Sequence, residues 1–172
     1  MAEFAKAIEK TLGLEGWGKF VNDKFDPGGQ TRWGISAKSY PEENIAALSY
    51  ERALELYRRD FWHPLYDLVN SQEVAEELFD FGVNTSARGW PKIAVQIFQE
   101  AVRYLVAGPV IIDGRFGSKT LELTNSVDSR RLLKEFRARQ AYYYAEIVIR
   151  QPDVDEQLKN RFLLGWFRRV ME

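Results

Sequence analysis

The sequence predicts a mainly α fold, a helical bundle that carries a small β-hairpin near its N-terminus. Two observations lead to this prediction. Apolar residues return at helical spacing through most of the 172 residues, and a stretch rich in glycine between residues 15 and 36 interrupts that spacing. The chain is 45% hydrophobic and 28% charged, which is an ordinary globular balance. A chain of this length can bury a core that needs no disulfide, and this one has no cysteine.

The first element is an amphipathic helix, because apolar residues recur every four positions between charged ones. This stripe consists of Phe4, Ile8 and Leu12. Gly13 is a natural place for the helix to end. Further along, the sequence Asp-Pro-Gly-Gly at residues 26–29 is typical of a turn, since proline presets φ and glycine accepts a positive φ. The short runs 19–21 and 31–35 flank this turn and predict a hairpin.

Helices follow from residue 49 onward, and several of their starts are marked by residues that cap helix N-termini. The predicted caps are Ser49, Ser71 and Asp128, while Gly89 and Pro91 open a further helix. Apolar stripes behind these starts predict the buried faces. The stripe after Pro91 is Ile93, Ile97, Ala101 and Leu105, and the stripe after Asp128 is Leu132, Phe136, Tyr143 and Ile147.

A second glycine-rich turn covers residues 111–119, and Ser118 is the expected cap of the helix behind it. Pro152 is expected to break the long helix, and a last helix is predicted over residues 158–170.

Charge and hydropathy narrow the classes of function. The formal net charge is −1 and the pI is near 6.0, so nothing favours nucleic acid or an anionic membrane as a partner. No apolar run approaches the ~18 residues of a membrane span, and the first residues lack the apolar stretch of a signal peptide. We therefore expect a protein that is synthesised soluble and uses another route for any export. One histidine and no cysteine disfavour a metal site, and no cofactor is expected.

Glu15 is the candidate catalytic residue. It stands seven residues after Ile8 and three after Leu12, so one more helical turn would place it on the apolar side. Burial disfavours the charged form and raises the pKa of a carboxyl group. The stretch behind Glu15 offers polar partners, including Asp26 and Thr31, and a desolvated acid beside a solvated carboxylate is the arrangement that cleaves glycosidic bonds. The alternative is that Glu15 is an exposed helix-end residue and that the aspartates only shape turns.

Residues 15–36 resemble the signature of glycoside hydrolase family 108, which runs Glu-Gly, then Asn, Asp-Pro-Gly-Gly, Thr and Gly-Ile-Thr/Ser. Four later segments resemble the family in the same order, namely 57–62, 79–86, 113–120 and 165–170. One departure is visible, because Trp17 and Gly18 stand where the family commonly has Gly-Tyr. The aromatic side chain is therefore one position earlier.

The resemblance implies an N-acetylmuramidase with a lysozyme-like α+β fold, in which Glu15 is the catalytic acid. The Glu/Asp/Thr hairpin of phage-type lysozymes is similar, which implies that Asp26 and Thr31 face the scissile bond and the attacking water. The expected substrate-binding residues are Asn22, Trp33, Asp80 and Asn84. For Asp80 and Asn84 the alternative is a solvated face or a helix-end hydrogen bond, and most other tryptophans are expected in the core.

The implied function is that of a peptidoglycan hydrolase of the endolysin or secretion-activator kind. It would cleave the β-1,4 bond between N-acetylmuramic acid and N-acetylglucosamine, as a monomer acting on the glycan strand at the cell wall or in the periplasm. Residues 1–88 would form the catalytic lobe and residues 89–172 a helical peptidoglycan-binding-like lobe, packed as one unit. Two alternatives stay open: a non-catalytic wall-binding or secretion-associated protein, and a lytic transglycosylase, which leaves an anhydro sugar.

Overall fold

The computed structural model describes residues 1–14, 18–22, 29–86, 88–150 and 163–167 of the chain. Helices dominate these ranges. They are α1 (Phe4–Leu14), α2 (Tyr50–Phe61), α3 (Gln72–Thr85), α4 (Lys92–Leu105), α5 (Ser118–Ser126) and α6 (Ser129–Ile149), with short 3-10 helices at Ile45–Ala47 and Pro64–Leu68. Residues 163–167 are helical as well, whereas the predicted break at Pro152 and most of the predicted last helix lie outside the described residues.

A three-stranded antiparallel sheet lies between α1 and α2 in the chain. Its strands are β1 (Val21–Asn22), β2 (Gln30–Arg32) and β3 (Ile35–Ser36), with β2 in the centre. Trp33 and Gly34 form the two-residue turn from β2 to β3, and both have a positive φ, 55° and 73°. Two successive residues of this kind are typical of a tight hairpin turn. The mainly α fold with a small β element is confirmed, and the β element has one strand more than a simple hairpin.

Local capping chemistry positions the helices as the sequence predicts, with one exception. Ser49, Ser71 and Asp128 each accept a hydrogen bond from the backbone N–H three residues later, at 3.1, 3.4 and 2.9 Å. The prediction for Ser118 was wrong, because Ser118 is already the first residue of α5. The cap position is taken by Gly117, whose extended backbone ends the preceding turn and which has no side chain to offer.

The core lies around α3, which packs against α1, α4 and α6. Because α4 contacts both α3 and α6, it buries a broad face that is shifted from the predicted stripe. That face consists of Ala94, Val95, Phe98, Ala101 and Val102. Ile93 of the predicted stripe is 44% exposed, so this part of the prediction was wrong. A similar shift occurs on α6, where Tyr144 is buried and Tyr143 only half-buried.

Polar contacts join the part of the chain before residue 88 to the part after it. The Arg137 guanidinium of α6 donates to Glu77 Oε2 of α3 at 2.8 and 3.0 Å. Asn125 closes a second link, since its Oδ1 accepts from Asn70 N at 2.9 Å and its Nδ2 donates to Leu68 O at 3.0 Å. The helix α3 therefore belongs to the packing of both parts.

Candidate functional site

The last turns of α1 are fixed against α3 by a buried hydrogen bond. Thr11 Oγ1 donates to Asp80 Oδ1 at 3.1 Å, and both side chains are buried, Thr11 completely. Leu12 is also completely buried. Glu15, which follows α1 in the chain, lies outside the described residues, as does Asp26. The described site therefore begins with the end of α1 and its contact to Asp80.

Asp80, a predicted substrate-binding residue, is only 7% exposed on α3. One of its carboxylate oxygens is used inside the protein, by Thr11. Asn84, one helical turn further along α3, donates from Nδ2 to the hydroxyl of Tyr144 on α6 at 2.7 Å. Both polar groups thus tie α3 to its neighbouring helices.

Thr31 lies in the central strand of the sheet, where it pairs with Val21 on one side and Ser36 on the other. Its hydroxyl donates to Gly29 O at 3.4 Å, a long hydrogen bond that holds it weakly. Asn22 is exposed in β1, opposite Gln30. Asn22 and Thr31 therefore lie on neighbouring strands but on opposite faces of the sheet, and the Thr31 hydroxyl is weakly held.

Trp33 connects the sheet to the helical core. Its backbone oxygen accepts from the Tyr57 hydroxyl at 2.9 Å, and its indole Nε1 donates to Leu48 O at 3.1 Å. The ring packs 5.1 Å from the Tyr50 ring and lies directly over Gly18, where a Cβ would come within 2.4 Å of it. The predicted sugar contact is thus a half-buried side chain whose position is fixed on several sides.

A charged network around Asp60, which the sequence reasoning missed, holds the loop behind the sheet against α2. The Asp60 carboxylate accepts hydrogen bonds from Arg59 Nε and Arg59 Nη2, each at 2.7 Å, and from the Tyr40 hydroxyl at 2.8 Å. Arg88 lies over the Tyr40 ring at 4.7 Å and pairs with Glu42 at 2.6 Å. Burial by itself would raise the pKa of Asp60, but the hydrogen bonds from Arg59 and Tyr40 outweigh it and lower the pKa.

The second glycine-rich turn is organised by one buried amide, Gln99 of α4. Its Nε2 donates to Asp113 Oδ1 at 2.9 Å, to Arg115 O at 3.0 Å and to the Thr120 hydroxyl at 3.3 Å. Its Oε1 accepts from Gly114 N at 2.9 Å. The bond from Gln99, followed by one from the Arg115 backbone, lowers the pKa of Asp113.

Gln99 was also missed from the sequence, although a signal was available. It lies next to Phe98 and is followed by Ala101 and Val102, so a polar residue stands inside an apolar helix face. A buried amide needs several partners, and only a nearby turn with free backbone groups could supply them.

Comparisons with known proteins identify both parts of the chain. Residues 8–85 match the family model Glycosyl hydrolase 108, and residues 93–171 match the model Predicted Peptidoglycan domain. Residues 8–85 are therefore a glycosyl hydrolase 108 region, and residues 93–171 are a peptidoglycan-domain region. These matches support a peptidoglycan hydrolase and peptidoglycan as the partner. The resemblance read from the five sequence segments is confirmed, and the two matched ranges lie on either side of residue 88.

The fold of this chain has a counterpart among solved structures. It is similar to the structure of SagA from Brucella abortus with a TM-score of 0.71, over 98% of this chain and 93% of that one. The two sequences are 22% identical, so the likeness concerns the fold. No curated protein matches the chain.

His63 has a structural position within the glycosyl hydrolase 108 region. Its Nδ1 accepts from Leu65 N at 3.2 Å and so caps a short helix, and its ring packs 5.1 Å from Trp90. Burial lowers the pKa of His63. Among the described residues, no group of three histidine or carboxylate side chains is placed to hold a metal ion. None of the helices in the described ranges has the length and apolar character needed to cross a bilayer.

Proposed function

We propose that the protein is an N-acetylmuramidase that cleaves the β-1,4 bond between N-acetylmuramic acid and N-acetylglucosamine, with Glu15 as the general acid. The observation that carries the proposal is the match of residues 8–85, which include Glu15, to the glycosyl hydrolase 108 family. Glycosidic cleavage of this kind needs a protonated acid at the leaving oxygen and a second polar group near the anomeric carbon. Position 15 is the expected place for that acid.

The end of α1 supports this assignment. Thr11 and Leu12 are completely buried, and Glu15 follows them at spacings of four and three in the sequence, at which helix positions share a face. The hydrogen bond from Thr11 to Asp80 fixes these turns on α3. A carboxyl group held in place by rigid neighbouring elements suits an acid that must meet one oxygen atom.

Two further catalytic groups are proposed, namely Asp26 and Thr31, and Thr31 lies in the central strand of the sheet. Asp26 would stabilise the positively charged sugar in the transition state or activate water, and Thr31 would orient that water. The weak hydrogen bond of the Thr31 hydroxyl to Gly29 supports this role, because it can be exchanged for one to water at little cost. Asn22 and Trp33 would contact the sugar, and Asp80 and Asn84 would support the cleft from α3.

The test is cleavage of purified peptidoglycan by the full chain and by Glu15→Gln, with mass analysis of the released fragments. Glu9→Gln is the matched control, because Glu9 is exposed on α1. We expect reducing muramic ends from the wild type and from Glu9→Gln, and a loss of about 10²-fold or more in rate for Glu15→Gln, since its amide cannot donate the proton. All three proteins must show the same thermal unfolding.

Each other outcome identifies a different function. Equal cleavage by Glu15→Gln would refute the assignment of the acid. Fragments with anhydro-muramic ends would show that the protein is a lytic transglycosylase and not a hydrolase. Binding to peptidoglycan without fragments from any variant would leave a non-catalytic wall-binding or secretion-associated protein.

A further inference from the structure

A cleft of about 410 Å³ lies beside the turn that Gln99 organises, and Gln99 itself is one of its lining residues. Clefts that hold small ligands have volumes of about 300–1,000 Å³. One wall is apolar and is formed by Val110, Ile111 and Leu123, and two basic side chains, Arg115 and Lys119, line the cleft as well. Ile111 is 78% exposed, which is unusual for a large apolar side chain without a partner.

The basic side chains of the cleft have free hydrogen-bonding capacity. No carboxylate among the described residues forms an ion pair with the Arg115 guanidinium, which is exposed. Lys119 pairs with Glu122 at 2.6 Å, and both of these side chains are about two-thirds exposed, so the pair is weak. Asp113 also lines the cleft, and its Oδ1 accepts from Gln99 and from the Arg115 backbone. The cleft therefore offers two cationic side chains that can reach the carboxylates of a ligand.

The backbone that presents these side chains is rigid. Gln99 makes hydrogen bonds to three groups of the turn and to the Thr120 hydroxyl of α5, and the Trp90 indole donates to Gly114 O at 2.6 Å. Gly114 has a φ of +74°, and a Cβ there would lie 2.5 Å from Lys92 Cγ. A fixed turn holds the cleft open in one shape, which lowers the entropic cost of binding.

We propose that this cleft binds the peptide stem of peptidoglycan through its carboxylates. The proposal rests on the proposed function, and the cleft lies within residues 93–171, which match the peptidoglycan domain. The guanidinium of Arg115 and the ammonium of Lys119 bind carboxylates, and the apolar wall fits the methyl groups of alanine residues. None of the described residues that line the cleft is aromatic, so they offer no platform on which a sugar ring could stack. Charge and shape thus favour the stem over the glycan.

The test measures binding of the full chain to the tetrapeptide L-Ala-γ-D-Glu-meso-diaminopimelate-D-Ala by calorimetry, with backbone NMR shifts to locate the site. We expect saturable binding with shifts concentrated in residues 109–123. Arg115→Glu should weaken this binding about tenfold or more, because it removes a charge-assisted hydrogen bond and adds a repulsive charge. The matched control is Arg130→Glu, an exposed arginine of α6 outside the cleft, which should bind within about twofold of the wild type.

Three results would overturn the proposal: unchanged binding by Arg115→Glu, equal binding of a tetrapeptide whose carboxylates are amidated, or shifts in residues 109–123 caused by a peptide-free disaccharide instead. The tetrapeptide has no glycosidic bond, so the result does not depend on catalysis. Cleavage of peptide-free glycan strands by the wild type is measured in parallel. Cleavage without tetrapeptide binding would refute only the proposal that the cleft binds the peptide stem. Tetrapeptide binding without cleavage would refute only the proposal that the protein is a muramidase.

Discussion

Replacing Thr11 by valine removes one hydroxyl from the contact between α1 and α3 while keeping a side chain of similar size. Thr11 is 0% exposed, and its Oγ1 lies 3.1 Å from Oδ1 of Asp80, which is 7% exposed. A hydrogen bond to a charged group contributes about 1.5–3 kcal/mol to stability. We therefore expect the free energy of unfolding of Thr11→Val to fall by about 1.5–3 kcal/mol.

The assay is thermal unfolding of Thr11→Val beside a matched control, Thr124→Val. Thr124 is 4% exposed, and its hydroxyl donates to the neutral carbonyl of Thr120 in the same helix at 2.8 Å. Loss of that bond should cost about 0.5–1.5 kcal/mol. Since 1 kcal/mol shifts the Tm of a chain of this size by about 2–4 °C, Thr11→Val should lower the Tm by about 3–12 °C.

The same two variants test whether the contact also serves catalysis. At a temperature where both are folded, Thr11→Val should lower kcat on glycan strands more than Thr124→Val does, because the contact fixes the helix that precedes Glu15. Equal losses of stability in the two variants would refute the view that the bond to Asp80 is a strong, charge-assisted one. Equal kcat values would confine its role to folding.

Three further predictions follow from the described contacts. The lowered pKa of His63 means that unfolding takes up a proton, so stability should fall as the pH drops below about 6.5, and the Tm of wild type should fall more between about pH 7.5 and 5.5 than that of His63→Asn. Gly114→Ala should lose about 2–5 kcal/mol, measured by urea unfolding, because the φ is +74° and its Cβ would lie 2.8 Å from Lys92 O. Gly89→Ala, with a φ of +85° and nothing within 4 Å, should lose only about 1–2 kcal/mol, and equal losses would contradict the steric argument. Because the pKa of Asp60 is lowered in the folded protein, the ionised carboxylate stabilises the fold, and this stability is lost as the pH falls through that pKa. Asp60→Asn should therefore be less stable than the wild type at neutral pH and lose less stability than the wild type between about pH 5 and 3. Parallel stability profiles of the two proteins over this pH range would refute the prediction.

The parts of the fold that depend on local chemistry could be predicted from the sequence. A serine or aspartate before a helix needs only the backbone N–H three residues later, so Ser49, Ser71 and Asp128 were recognisable as caps. The buried face of α4 was not, because it depends on α3 and α6 packing on two sides of the helix, and Ile93 therefore lies outside the core. Helical spacing gives the period of a face, whereas tertiary contacts decide its width and direction.

The candidate site also has parts that the local sequence predicts and parts that depend on tertiary contacts. The motif around Glu15 could be recognised as a continuous stretch of sequence, and the matched family agrees with it. Gln99 binds partners that lie 14 to 21 residues away in the sequence. Asp60 binds the adjacent Arg59 and also Tyr40, which lies 20 residues away. Such partners are unknown until the chain is folded. The roles of Asp26, Thr31 and Asn22 stay predictions.

The position of α3 has a consequence for how this protein can be recombined. It packs against α1 on one side and against α4 and α6 on the other, and its Glu77 is paired with Arg137. A chimera joined between residues 86 and 92 would separate α3 from the native α4 and α6 on which it packs. It would also leave the buried Glu77 carboxylate of the N-terminal part without Arg137. Exchange between homologues should therefore succeed when α1 and α3 travel together with α4 and α6.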